Sequence, residues 1–520
     1  MSVSAVPQLL AKKKDKSADA GADQQKRAVQ ALNRLTFGPR PGDVQQVMAM
    51  GVDQWIDLQL HPEKIPDSAV EARLAPLRTL HMSSKEIVEE FPDQQMIKQV
   101  MNGKRPMPSD PAKRAVFQVQ IARLEEKQER KEIRADASAP APAQAPASAG
   151  PAAADSAKTA EELAAAAASP DATPDGNSMG GNSMGASSGA SANDMSMTPP
   201  ANAKPSPAEE AEAQRREDRL YADLKVQGLV DLPPDQRYKK VMAMSTTEQV
   251  AFADSLKGNK GDDFLAGMDA KQKETLMAMN NPQAVVLSEL VQAKLLRAIY
   301  SERQLEQVMT DFWFNHFNVF VGKGPERVLI TNYEQDVIRP RALGKFEDLL
   351  VATAKSPAML FYLDNWMSVG PNSMQAQGIP AHPGPYGPYG RPRRFPQQPN
   401  PNAKRKQASG LNENYGRELL ELHTLSVNGG YSQRDVTEVA KVFTGWTIEK
   451  PYEGMGFKFD PRMHEPGPKL VLGHKIKPKG EDEGREVLHM LATSPQTAHF
   501  ISLKLAERFV SDDPPPALVD

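Results

Sequence analysis

Apolar residues recur along most of this chain at three- and four-residue intervals, the spacing of one face of an α-helix. Residues 284–300 give the clearest case, with Leu287, Leu290, Val291, Leu295, Leu296 and Ile299. Just after them, Leu305, Val308, Met309, Phe312 and His316 share a face, which turns His316 towards a core. Ser301 followed by Gln304 has the form of a capping box opening that helix. Helices are also expected through 25–134, where Val29, Leu32 and Leu35 precede the stop at Gly38-Pro39, and through 332–354. Near the end, Ser432 with Asp435 opens a helix carrying Val436, Val439, Ala440 and Phe443, and 483–492 and 495–510 are helical again. Only Phe457-Lys-Phe459 and Leu470-Val-Leu472 alternate like strands, around a loop holding His464. The fold class is therefore mainly α, one multi-helical domain with a small β-hairpin near 457–472 and two disordered inserts.

The inserts are where the periodicity fails. Residues 135–208 are Ala, Pro, Ser, Gly and Met, and cannot bury enough apolar surface to offset their ordering entropy. Residues 367–410 are rich in Gly, Pro and Arg, with no acid between Gly370 and Asn412. This reads as a solvated basic spacer, with a lid or anion-contacting loop as the alternative. The chain is thus divided into 1–24 (disordered, or the remnant of a leader), 25–134 (helical), 135–208 (insert), 209–366 (helical core), 367–410 (insert) and 411–520 (helical core).

Composition adds mostly exclusions. A net charge of −3 gives no global case for nucleic acid, and zero cysteines exclude disulfides and thiolate chemistry. No apolar run is long enough to span a membrane. Ser2–Ala11 is apolar but precedes its lysines, the reverse of a signal peptide.

Candidate chemistry concentrates in 411–424. On a wheel of about 100° per residue, Leu411, Tyr415, Leu419 and Leu422 form one apolar face, flanked by Asn412 and His423. Asn414, Arg417, Glu418 and Glu421 form a polar stripe, and Leu420 points away from the first face. No two histidines have the spacing of a helical metal site, so a metal would need ligands from distant segments. Metal and cofactor are left unassigned. Gly-x-Ser-x-Gly, phosphate-loop and dinucleotide fingerprints are absent.

These residues also carry a resemblance. Asn412-Glu-Asn-Tyr415 through His423, Tyr431-Ser-Gln-Arg-Asp-Val436 and Thr444-Gly-Trp446 resemble the signature of a bacterial family catalogued as domain of unknown function 1800. Leu32-Asn-Arg-Leu-Thr-Phe-Gly38, Phe312 to Val319, Ser356-Pro-Ala-Met-Leu360, Leu363-Asp-Asn365, and His464 with Gly467 and Lys469 match in the same order. The likeness runs from about residue 28 to the end. It implies an exported protein, and so a start upstream of Met1; without one the sequence reads as cytoplasmic. It implies further helices after 514–519, so 411–520 is expected to be truncated. By association it hints at a sulfatase-like partner encoded nearby.

Together these readings give a helical protein with a polar central cleft. Its leading chemistry is hydrolytic, with Glu418 or Glu421 as base and His423 or His316 as partner. Asn315, Asp364, Asn365, Asn412, Asn414, Arg417, His464 and Lys469 are expected to bind. The alternative is a non-catalytic helical binding or assembly module. Convergence of Asn315, His316, Glu418, His423 and His464 in one pocket favours the enzyme; dispersal favours the module.

Overall fold

The computed structural model describes residues 6–137, 207–256, 259–379 and 410–519. The greater part of both low-complexity stretches, 135–208 and 367–410, lies outside them. The chain divides into two compact units, one of 1–124 with 218–520 and one of 125–217. In the second, the described residues are helical and Glu126 pairs with Arg130 one turn on. All candidate residues belong to the first.

Among the described residues are 22 α-helices and two small antiparallel two-stranded sheets, so the fold is mainly α. No described helix is long and apolar enough to cross a membrane. The sequence sets the helix starts through side-chain caps. Ser83 with Glu86, Ser245 with Glu248, Asp269 with Gln272 and Ser432 with Asp435 form complete capping boxes. Asn281 caps the Pro282–Tyr300 helix, whose first position takes proline because no donor is needed there.

Ser301 departs from expectation. Its hydroxyl donates to Asp67 Oδ2 at 2.7 Å, and Asp67 Oδ1 accepts from the Glu302 N–H at 2.8 Å. The helix instead begins at Gln304 without a side-chain cap. The hydroxyl gives its proton to a distant carboxylate and accepts from the Arg303 N–H at 3.1 Å, ahead of the helix rather than within its first turn.

Strands form at Phe457–Phe459 and Lys469–Val471 but do not pair with each other. Trp446–Ile448 pairs with the first, and His474–Ile476 with the second. The second pair closes through Leu472 and Gly473, both at positive φ (49° and 78°), the conformation of a tight type I′ hairpin turn. Residues 460–468 hold three prolines and offer no such turn.

Among the described residues, two segments are π-helical, Tyr333–Ile338 and Leu419–Thr424. In the second, the Leu425 N–H reaches back five residues to the Leu420 carbonyl at 2.8 Å, and Thr424 Oγ1 donates to the Leu419 carbonyl at 2.6 Å. An i→i+5 ladder turns each residue by less than an α-helix does. The wheel therefore misplaces Leu422, which it sets on the apolar face and which is exposed, while Leu419 and Leu420, on different faces, are both fully buried.

Around this segment lies the aromatic part of the core. Tyr415, Phe443, Trp446 and Phe457 meet edge-on in succession at 5.0–5.2 Å between centroids. Val436, Val439 and Ala440 of the Gln433–Val442 helix are fully buried beside them. The close crossing of that helix with Asn414–Glu418 depends on Gly416. A Cβ there would lie 2.8 Å from the Val436 carbonyl oxygen and 3.0 Å from the Ala440 nitrogen.

Candidate functional site

The candidate residues fall into separate groups. One joins three helical segments: His316 ends the Gln304–His316 helix, His423 lies in the π-helical Leu419–Thr424, and Lys504 comes from Pro495–Phe509. His316 Nε2 lies 3.1 Å from the His423 carbonyl, and the Lys504 Nζ lies 3.2 Å from His316 Nδ1. A carbonyl only accepts and an ammonium only donates, so these partners assign the proton of a neutral His316 to Nε2. Burial first, and Lys504 second, push His316 down to about 4. Burial, then His316 and Lys504, push His423 down to about 3. Burial also lowers Lys504, against a smaller opposing effect of Glu507. The rings of Trp313, Phe317 and Phe500 surround His316 at 4.6–6.0 Å, and Phe317 lies 5.0 Å from His423. At neutral pH this is a pair of uncharged imidazoles in an aromatic shell. Neither is a base poised near 7.

His464, Lys469 and Glu483 form a second group, each buried. The Lys469 ammonium donates to Glu483 Oε2 at 2.6 Å and lies 3.2 Å from His464 Nε2. His464 Nδ1 lies 2.8 Å from the Thr444 carbonyl, and Nε2 lies 3.1 Å from Glu483 Oε1. The same Oε1 accepts from the N–H groups of Lys479 and Gly480. Burial raises the Glu483 carboxyl, but the bonds from His464, Lys469 and Lys479 outweigh it and bring it to about 2. Next to this group, Glu465 accepts both the backbone and side-chain N–H of Asn372, fixing residues that the sequence assigns to the second insert.

Two more candidates tie backbone, and a third makes an ion pair. Asn365, fully buried, donates to the carbonyls of Phe443 and Trp446, both at 3.1 Å. Asn412 donates to the Leu363 carbonyl at 2.7 Å and accepts from the Asn414 N–H. Asp364, at φ 57°, pairs with Lys323 at 2.8 Å.

In the polar stripe Asn414 is exposed, and Arg417, Glu418 and Glu421 are half-buried. Arg417 donates to Gln433 at 2.7 Å, and Glu421 accepts from the Tyr431 hydroxyl at 3.2 Å. Glu418 is half-buried, and burial, then Glu421, raise its carboxyl against the pull of Arg417. Glu413, on the far side of the wheel, is the better-held carboxylate, accepting from Gln433 at 2.6 Å and Thr437 at 2.7 Å. Asn315 is exposed. Of the five residues whose convergence was the test, only His316 and His423 are brought together.

Grooves on this unit lie away from the candidate groups. One, of about 490 Å³, is lined by Met96, Val100, Arg105, Met107, Lys113 and Phe117. The other is lined by Tyr221, Lys225, Met244 and Phe252. Neither contains a candidate residue. Among the described residues, no three His, Asp or Glu side chains are grouped to hold a metal ion.

The order of these motifs along one helical domain agrees with a family model. The model described as protein of unknown function (DUF1800) matches residues 30–520. The chain belongs to the DUF1800 family. No curated protein and no solved structure matches it. In this DUF1800 chain the residues that sequence reasoning missed are Lys504 and Glu483. Glu483 was hidden in the acidic run 481–483, which reads as an exposed helix start. Lys504 carries no local signal, since its partner is 188 residues away.

Proposed function

We propose that this protein is a helical binding or assembly module. The observation that carries the reading is the division of its candidate groups: one buried imidazole cluster, one buried ion-paired cluster and one half-exposed stripe. A hydrolytic centre needs a base, its partner and a cavity within hydrogen-bonding reach of one substrate. His316 and His423 are too weakly basic to take a proton at neutral pH and are enclosed by aromatic rings. One observation favours the hydrolytic alternative: the Glu418 carboxyl is half-buried beside Glu421 and raised. Export and a sulfatase-like partner belong to the proposal on the resemblance alone.

The test is a screen of ester, peptide, phosphate, sulfate and glycoside substrates, with metal analysis, on wild type, Glu418→Gln and His423→Phe. The expected result is no turnover that either substitution abolishes. Turnover lost in Glu418→Gln, with the fold intact, overturns the module reading.

A further inference from the structure

A lysine drawn out of water needs a counter-charge to stay an ammonium, and Lys504 lacks a close one. It lies half-buried on the Pro495–Phe509 helix. Its Nζ sits 5.0 Å from the ring centre of Phe500, one turn back on the same helix, and 3.2 Å from His316 Nδ1. The two imidazoles that feel its charge, those of His316 and His423, are neutral at pH 7. Among the described residues no carboxylate forms an ion pair with it, and Glu507 acts on it only at longer range. Lys469 is the contrast, buried but held by Glu483 at 2.6 Å.

We infer that Lys504 is a nucleophilic amine and a site of acylation by small activated acyl donors of the acyl phosphate class. An aromatic face and two neutral rings favour the free amine over the ammonium, and burial lowers the basicity of Lys504 accordingly, against the smaller effect of Glu507. The proton of His316 is held at Nε2 by the His423 carbonyl, so Nδ1 is left to accept from one N–H of the amine. That bond fixes the amine and leaves its lone pair free to react. Partial exposure opens a path from solvent, and the surrounding rings restrict it to small donors. In the step, the nitrogen lone pair attacks the acyl carbon and a C–N bond forms. The bond from that carbon to the phosphate oxygen breaks, phosphate leaves with the electron pair, and the nitrogen sheds its proton to water. The amide product keeps one N–H for His316 Nδ1 and loses the positive charge. This goes beyond the module reading, because it assigns a modification and no turnover.

The test is reaction of the full chain with acetyl phosphate, with acetylation of each lysine followed by peptide mass spectrometry. Near neutral pH, Lys504 is expected to react at least about threefold faster than the exposed Lys458 and Lys475, an advantage that shrinks above about pH 10.4 as ordinary amines lose their protons. Phe500→Glu sets a carboxylate one turn before Lys504 and should slow it to the rate of the exposed lysines. Phe500→Gln, of the same size without the charge, should keep most of the advantage. Lys504 reacting no faster than Lys458 and Lys475 in wild type overturns the inference, and so do equal rates in the two folded variants. The wild-type comparison decides even where neither variant folds. None of these outcomes depends on turnover, so the inference and the module reading fail separately.

Discussion

The Lys504 ammonium lies 3.2 Å from Nδ1 of His316, and the opposite ring nitrogen lies 3.1 Å from the His423 carbonyl. One imidazole thereby links the last long helix to the π-helical turn. The arrangement needs both histidines neutral, which sets a pH dependence. His423 is held at about 3, below the 6.5 of a free imidazole. Between these values the unfolded chain binds a proton that the folded chain does not. Stability is therefore complete above about pH 6.5 and falls as pH drops, by up to about 1.4 kcal/mol per pH unit for this residue. His423→Phe fits the aromatic shell and does not titrate, so its stability should fall less steeply between pH 6.5 and 4. Urea midpoints across that range decide it, and parallel curves contradict the prediction.

Glu326 gives the opposite sign. It is fully buried, neither carboxylate oxygen has a partner, and burial pushes it up to about 9 against a weaker pull from Lys323. The folded chain keeps a proton that the unfolded chain releases above 4.5. Stability falls as pH rises from about 4.5 to 9 and levels off beyond. Glu326→Gln keeps the shape and removes this dependence. At pH 8 it should be more stable than wild type by at least ~1 kcal/mol, and near pH 4.5 about equal. A variant less stable at both pH values means that Glu326 is not held protonated.

Gly416→Ala forces a methyl against the Val436 carbonyl and the Ala440 nitrogen. Backbone cannot swing aside as a side chain does, so a loss of about 2–4 kcal/mol is expected in chemical denaturation. Gly456→Ala, with nothing within 4 Å, is the control and should change stability by under about 0.5 kcal/mol. Equal effects contradict the close crossing.

Glu413 and Glu418 reverse the order that the helical wheel assigns them. On the wheel Glu418 lies in the polar stripe beside the apolar face, and Glu413 lies on the opposite side, where a plain surface position is expected. Glu413 instead accepts from Gln433 and Thr437. Glu413→Ala should cost roughly 0.5–1.5 kcal/mol and Glu418→Ala less than about 0.5. The opposite ranking in urea unfolding contradicts this order.

These cases mark how far the sequence is legible. Local signals carried well: the Ser432–Asp435 box, the stripe Val436, Val439 and Ala440, and the inward turn of His316 all lie within a few residues of their causes. The features that were lost depend on distance or on an unusual ladder. No local rule tells that Asp67 takes the Ser301 hydroxyl across 234 residues. Likewise, Glu483 collects His464 and Lys469 from outside its own helix. The π-helical turn at Leu419–Thr424 has no periodic signature in six residues, yet it decides that Leu422 faces water and His423 faces Phe317.

The central claim is that the buried charged residues hold the fold and are not a reaction centre. The unfolding free energy of Lys469→Met tests it most directly, because methionine keeps most of the unbranched chain and removes the ammonium together with its hydrogen bonds. If Lys469 ties Glu483 and His464 into the core, its loss leaves a buried carboxylate uncompensated and should cost about 3–5 kcal/mol. Residues kept for catalysis strain their surroundings, and removing one commonly leaves stability unchanged or raised. A Lys469→Met variant as stable as wild type, or more so, contradicts the account.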